Sequence, residues 1–137
     1  VHTDGAIMYS LASFYQAGAG LSQQLKQGRY FGTIAIPPTM PWLGATAPVA
    51  PNAKISKQGN RIILSWNKEL TVSGGLKYMV YRFVKNEAVD LNNATRIIGL
   101  TQQSNFVDEV NDGRQYKYVI TALDRLWNES KASQVLE

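Results

Sequence analysis

The sequence contains no cysteine, which excludes disulfides, thiolate nucleophiles and cysteine-ligated zinc. It contains one histidine, His2. With no second imidazole to share a metal, and at a chain end where side chains are normally solvated, His2 is expected to be neither a ligand nor a general base. Ser10, Ser13 and Ser22 therefore lack the partner that a hydrolytic serine requires. No apolar run approaches the roughly 20 residues that cross a bilayer, so no membrane insertion is expected of these residues. The opening Val1-His2-Thr3-Asp4-Gly5 has no initiator methionine and no charged-then-apolar leader pattern. The expectation is a fragment of a longer protein, or a processed one. Glycine pairs at 18 and 20 and at 74 and 75 lack the further glycines or lysine of a dinucleotide or phosphate loop, so no cofactor is expected.

Charge is also sparse. Only 18% of the 137 residues are charged, and the formal net charge is +4. Residues 1–47 contribute +1 (two basic, one acidic) and 48–137 contribute +3 (twelve basic, nine acidic). The cations Lys54, Lys57, Arg61, Lys68, Lys77, Arg82 and Lys85 are spread among acids and turns. A nucleic-acid surface concentrates its cations on one stripe with exposed aromatics, so no nucleic-acid partner is expected.

What is present, over residues 52–137, is a succession of short strands. "AKISKQG" alternates and ends at Gly59-Asn60, and "RIILSW" follows at once, which is a hairpin signal. Ile62, Leu64 and Trp66 share one face of that second strand and read as core. "LKYMVYRFV" has the β-branched and aromatic content of a strand. Ala94 to Ile98 suits a short edge strand, "SNFVDE" another, and "RQYKYVITALD" alternates Tyr116, Tyr118, Ile120 and Ala122 against Lys117, Val119 and Thr121. "ESKASQVLE" completes the series as a closing strand. About seven strands with turns every 8 to 12 residues predict a Greek-key β-sandwich of mainly β class.

"GRQYKYVITALDRLWNESKAS" resembles the last hairpin of a fibronectin type III domain, in which a tyrosine follows a glycine by three positions. The resemblance implies that Tyr116 is the corner tyrosine, its hydroxyl bonded to backbone, and that Trp66 is the core tryptophan of the second strand. Tyr78 and Tyr118 complete the expected structural core. Where that family usually has glycine in the final turn, this chain has Leu126-Trp127-Asn128, which implies a longer or differently shaped turn.

Residues 1–47 differ in kind. "GAIMYSLASF" reads as a buried strand and "LSQQLKQGRYF" as a helix with Leu21 and Leu25 four apart. One strand and one helix cannot bury their own faces. "IPPTMPW", residues 36–42, then stops both helix and sheet with three prolines. Together these stretches resemble the last strand and helix of the TIM-barrel domain in a group of bacterial glycoside hydrolases, glycosyl-hydrolase-like family ten, where a "PPMPW"-type stretch leads into a sandwich; here Thr39 intervenes. The resemblance implies two parts: 1–47, the end of a TIM-barrel catalytic domain with its proline-rich linker, and 48–137, a fibronectin type III-like β-sandwich. It also implies a periplasmic, cell-surface or secreted location.

Glycoside hydrolysis needs two carboxylates on a rigid scaffold. Residues 1–47 offer only Asp4, while Glu69, Asp90, Asp108, Glu109, Asp112 and Glu129 fall in expected loops and turns. No catalytic residue is expected here, and the chain reads as an accessory module that buttresses or spaces the catalytic domain of the same polypeptide. If Tyr78 and Val80 face the core, Met79, Tyr81 and Phe83 line the outer face beside Val119, a larger apolar patch than a free monomer normally exposes. That patch, with Met40, Trp42 and Trp127, is the candidate interdomain or glycan contact. A carbohydrate-binding module stacking polysaccharide on the aromatics, and a protein-interaction domain using a strand edge, are the alternatives.

Overall fold

The computed structural model describes residues 34, 36–68 and 75–137, and all that follows concerns these. The strand and helix expected before residue 34 and most of the loop containing Glu69 lie outside the described residues. Ile34–Glu137 forms one compact unit.

Two antiparallel sheets make up this unit. β1 (Ala53–Gln58) and β2 (Arg61–Trp66) form the expected hairpin, turning through Gly59 at φ 59°, a left-handed value that suits glycine. β5 (Asn105–Glu109) pairs with the other side of β2. In the second sheet β3 (Lys77–Val84) is central, with β4 (Ile97–Thr101) and β6 (Tyr116–Leu123) beside it. The strand orders are β1-β2-β5 and β4-β3-β6. Because β2 finds β5 and β3 finds β6, the chain crosses between sheets as a Greek key does, and the fold is a fibronectin type III/immunoglobulin-like sandwich.

Alternation dictates what each strand buries. Ile62, Leu64 and Trp66 point between the sheets and meet Tyr78, Val80, Tyr118, Ile120 and Ala122 from the second sheet. Trp66 and Tyr78 lie tilted with ring centroids 5.4 Å apart. The Trp66 indole N–H is buried and finds no hydrogen-bond partner among the described residues. Gly99 on β4 lets the Phe106 ring of the opposite sheet approach its backbone.

Three local expectations differ from the structure. Ala94–Arg96 forms a 3-10 turn, not a strand, because the Asn93 side chain accepts from the Thr95 amide at 3.2 Å and its hydroxyl at 2.6 Å. Such local bonds compete with strand pairing, which begins only at Ile97.

The closing segment does not form a regular strand either. It meets β6 at Glu129 opposite Leu123 and Leu136 opposite Tyr118, and Ser130, Ser133 and Leu136, every third residue, are buried. The Ser130 and Ser133 amides donate to the Ala122 and Ile120 carbonyls. In return the Ala122 and Ile120 amides donate to the Ser130 and Ser133 hydroxyls, at 2.9 and 3.0 Å. Three residues of the edge thus accompany two of β6, and serine hydroxyls take the place of carbonyls in the ladder.

Finally, Tyr116 opens β6 at the corner position, but its hydroxyl donates to the Asp112 carboxylate and not to backbone. The acid four residues earlier supplies a stronger, charged acceptor.

Candidate functional site

The two faces of β3 are the starting point. Tyr78 and Val80 belong to the core between the sheets, and Met79, Tyr81 and Phe83 project from the opposite face, as the alternation requires. These three have no exposed surface at all. With Ile97, Val119 and Leu123 they form a second apolar cluster, against which Ile34, Ile36, Leu91, Ala94, Trp127 and Ala132 pack. A sugar ring needs an open aromatic face to stack on, and Tyr81 and Phe83 present none.

The second cluster contains one polar knot. Tyr81 and Thr121 both donate hydroxyl hydrogen bonds to Glu129 Oε1, at 2.8 and 2.7 Å. Burial, with the Glu129 hydrogen bond adding to it, pushes the Tyr81 hydroxyl well above the ordinary tyrosine range.

Trp127 lies in the turn after β6. It has φ 65°, unusual for a residue with a side chain. Asp124 over-determines that turn: its carboxylate accepts from the Leu126 and Asn128 amides and from Asn128 Nδ2, all at 2.8 Å. The half-buried indole packs on the second cluster, and the Lys77 ammonium sits 3.8 Å from its ring centroid.

The proline-rich segment is tied to this turn. Asn128 Nδ2 also donates to the Gly44 carbonyl at 2.9 Å, and bonds from Leu43 N to Met40 O and Gly44 N to Pro41 O close a turn over 40–44. Trp42 stands out of that turn 77% exposed, with Leu43 at 62% and Met40 at 37%. The segment rests on the sandwich through Ile34, Ile36 and Gly44, while its tryptophan points to solvent.

At the other end of the sandwich, Arg82 on β3 reaches across to Asp108 on β5 with two bonds of 3.0 and 3.1 Å. Asp108 also accepts from the Tyr118 hydroxyl at 2.8 Å. Arg82 lies over the Tyr116 ring, 4.6 Å from its centroid. Burial first, then the Asp108 hydrogen bond, raises the Tyr118 hydroxyl above its ordinary range. The Tyr116 hydroxyl in turn holds the Asp112 carboxyl below the usual carboxylate range. Asp108, Asp112, Asp124 and Glu129 are all engaged in bonds that fix loops or join strands. Sequence reasoning missed the Arg82–Asp108 link, whose residues look like separate surface charges until the sheets are stacked.

Beside this link a cavity of about 590 Å³ opens between the β1–β2 turn, the end of β3 and the β5–β6 connection. Ile55, Ile62, Val110 and Tyr116 line it above the buried Tyr118, and Lys57, Lys85, Arg114 and the acid Glu137 bring charge of both signs to it. Among the described residues no three His, Asp or Glu side chains gather as a metal site, and no helix is long and apolar enough to cross a membrane.

No family model matches the chain. It is 31% identical over 135 residues to the glycosyl hydrolase YngK of Bacillus subtilis (strain 168), an alignment covering 95% of this chain and 26% of that protein. The chain therefore spans about a quarter of the length of that curated relative. Among solved structures, a β-1,2-glucanase from Parabacteroides distasonis aligns with a TM-score of 0.53 at 20% identity, over 74% of this chain and 14% of that one. A pectate lyase, PelI of Erwinia chrysanthemi, aligns with a TM-score of 0.50 at 16% identity, over 64% and 27% respectively. The two structures share the fold with this chain, and the B. subtilis protein relates it to a glycosyl hydrolase.

Proposed function

We propose that the chain is a non-catalytic accessory module of a glycoside hydrolase, and that it buttresses the catalytic domain of the same polypeptide. The observation that carries this reading is the match along nearly the whole chain to a quarter of a glycosyl hydrolase. In this reading residues 1–47 bring the end of a TIM barrel with its proline-rich connection, 48–137 are the sandwich, and the parent acts outside the cytoplasm.

Two features of the geometry support it. Among the described residues Asp108, Asp112, Asp124 and Glu129 each accept hydrogen bonds that fix loops or join strands, as Asp108 does from Arg82 and Tyr118. The turn carrying Met40, Trp42 and Leu43 holds large apolar groups in solvent on a segment that three prolines stiffen and Asn128 anchors. Exposing such groups is unfavourable unless something covers them, and a stiff connection fixes the angle at which a neighbouring domain does so. The test is release of new reducing ends from a panel of polysaccharides. The reading expects none from this chain and activity from the longer polypeptide. Turnover by this chain alone would overturn it.

A further inference from the structure

We propose that β5 is an interaction edge that takes a second copy of this chain, the two β5 strands pairing antiparallel about a two-fold axis at Val107. This inference is independent of the reading above.

The hydrogen bonds of the first sheet show which backbone groups are left over. At the two ends of the β2–β5 ladder the Trp66 amide donates to the Ser104 carbonyl at 2.9 Å and the Val110 amide to the Asn60 carbonyl at 2.8 Å. Antiparallel pairs alternate between bonded and non-bonded. With the observed register, Phe106 and Asp108 therefore bond to Leu64 and Ile62, while Asn105, Val107 and Glu109 turn their amides and carbonyls away from β2. Among the described residues no other segment meets these outward groups, since β5 ends the sheet.

The other three sheet edges are guarded. The closing segment bonds along β6 from Ser130 to Leu136. The register of β4 slips between the partners of Val80 and Tyr81, a bulge that breaks its edge. β1 carries Lys54 and Lys57, and its Ala53 carbonyl accepts from Gln134 Nε2. β5 has no proline, no lysine and no break in register. Each acid on it already has a cation beside it, Arg82 at Asp108 and Arg61 at Glu109, so a second β5 meets no unpaired charge. Val107 stands 41% exposed at its centre.

Self-complementarity selects the occupant. About an axis at Val107 that side chain meets its own copy, and Asn105 lies opposite Glu109 of the second copy, an amide donor facing a carboxylate. The outward groups then make two backbone bonds in each of three residue pairs. Such a contact uses one patch twice, as two-fold dimers do. Phe106 against Gly99 stacks β5 on β4, whereas the turn over 40–44 is tied to the far end of β6, the opposite edge of the second sheet. Pairing through β5 leaves that turn free.

The test is sedimentation equilibrium of this chain from roughly 10 µM to 1 mM, with amide hydrogen exchange at both limits. A five-residue edge makes a small contact, so the expected result is a reversible monomer–dimer equilibrium within that range. Amides of Asn105, Val107 and Glu109 should gain protection with concentration, and those of Phe106 and Asp108 should not change. Val107→Pro removes only an outward N–H, which an edge strand tolerates, and should weaken the dimer at least about tenfold. Val107→Lys keeps the N–H but sets like charges opposite each other across the axis, and should weaken it similarly. A monomer at 1 mM, even one whose three amides are protected by an added Thr-Val peptide, would overturn the proposal. So would a dimer that survives both substitutions, or one whose concentration-dependent protection lies elsewhere, as around Trp42.

Discussion

The backbone of Gly99 lies against the ring of Phe106, across the gap between the two sheets. A β-carbon at residue 99 would overlap that ring at Cε2 and lie 2.8 Å from Cζ and 3.0 Å from Cδ2. Gly99→Ala is therefore expected to destabilise the chain by about 1–3 kcal/mol, the usual cost of overpacking. In a Phe106→Leu background the same change should cost about 1 kcal/mol less, because residues in contact do not act additively. Urea unfolding of the four proteins of the cycle measures the difference.

Asp108 joins the sheets by accepting from Arg82 and from Tyr118. Its side chain is only 12% exposed. Asp108→Asn keeps the size and removes the charge, leaving Arg82 half-buried beside a neutral amide. We expect a loss on the order of 2 kcal/mol by thermal or denaturant unfolding. Arg61→Gln, whose partner Glu109 lies in a well-solvated pair, should change stability by less than about 0.5 kcal/mol.

Ser130 and Ser133 accept from the Ala122 and Ile120 amides in place of carbonyls. Replacing each by alanine leaves a buried N–H without its acceptor, at about 1–2 kcal/mol apiece. Amide hydrogen exchange provides the specific signature: protection should fall at Ala122 in Ser130→Ala and at Ile120 in Ser133→Ala, and persist on β2.

The chain should unfold in alkali, with two tyrosines titrating in the same step. Tyr81 and Tyr118 are raised by burial and by Glu129 and Asp108 respectively. A folded-state value above the unfolded one, about 10, means that the stabilisation is complete below about pH 10 and is lost as pH rises through the folded values. Tyrosinate absorbance of these two groups should appear together with unfolding, and Tyr81→Phe and Tyr118→Phe should each remove one group from that step.

Much of this architecture is written locally. Ile62, Leu64 and Trp66 on one strand, and Tyr118, Ile120 and Ala122 on another, alternate so cleanly that their core faces follow from period two alone, and Tyr78 and Val80 fix which side of β3 is left for Met79, Tyr81 and Phe83. How completely those three are covered does not follow, because their cover, from Ile34 to Ala132, is distant in sequence. The closing edge misleads because its burial runs in threes and its ladder uses serine side chains. Tyr116 opens β6 as its alternating run predicts, but its bond to Asp112 depends on an acid that no backbone pattern specifies. Lys57, Lys85 and Arg114 are scattered over 58 sequence positions (57 to 114), and only the folded sandwich gathers them, with Glu137, at one end.

Trp42 offers the most direct measurement. Its side chain is 77% exposed on a turn anchored by Gly44 and Asn128, and the account assigns it to the contact with the catalytic domain. Calorimetric unfolding of Trp42→Ser should leave the midpoint of this chain unchanged, since exposed substitutions stay within about 0.5 kcal/mol. In the longer polypeptide it should lower the transition of the catalytic domain by several degrees. An unchanged catalytic transition, or a lowered midpoint in this chain alone, would contradict the account.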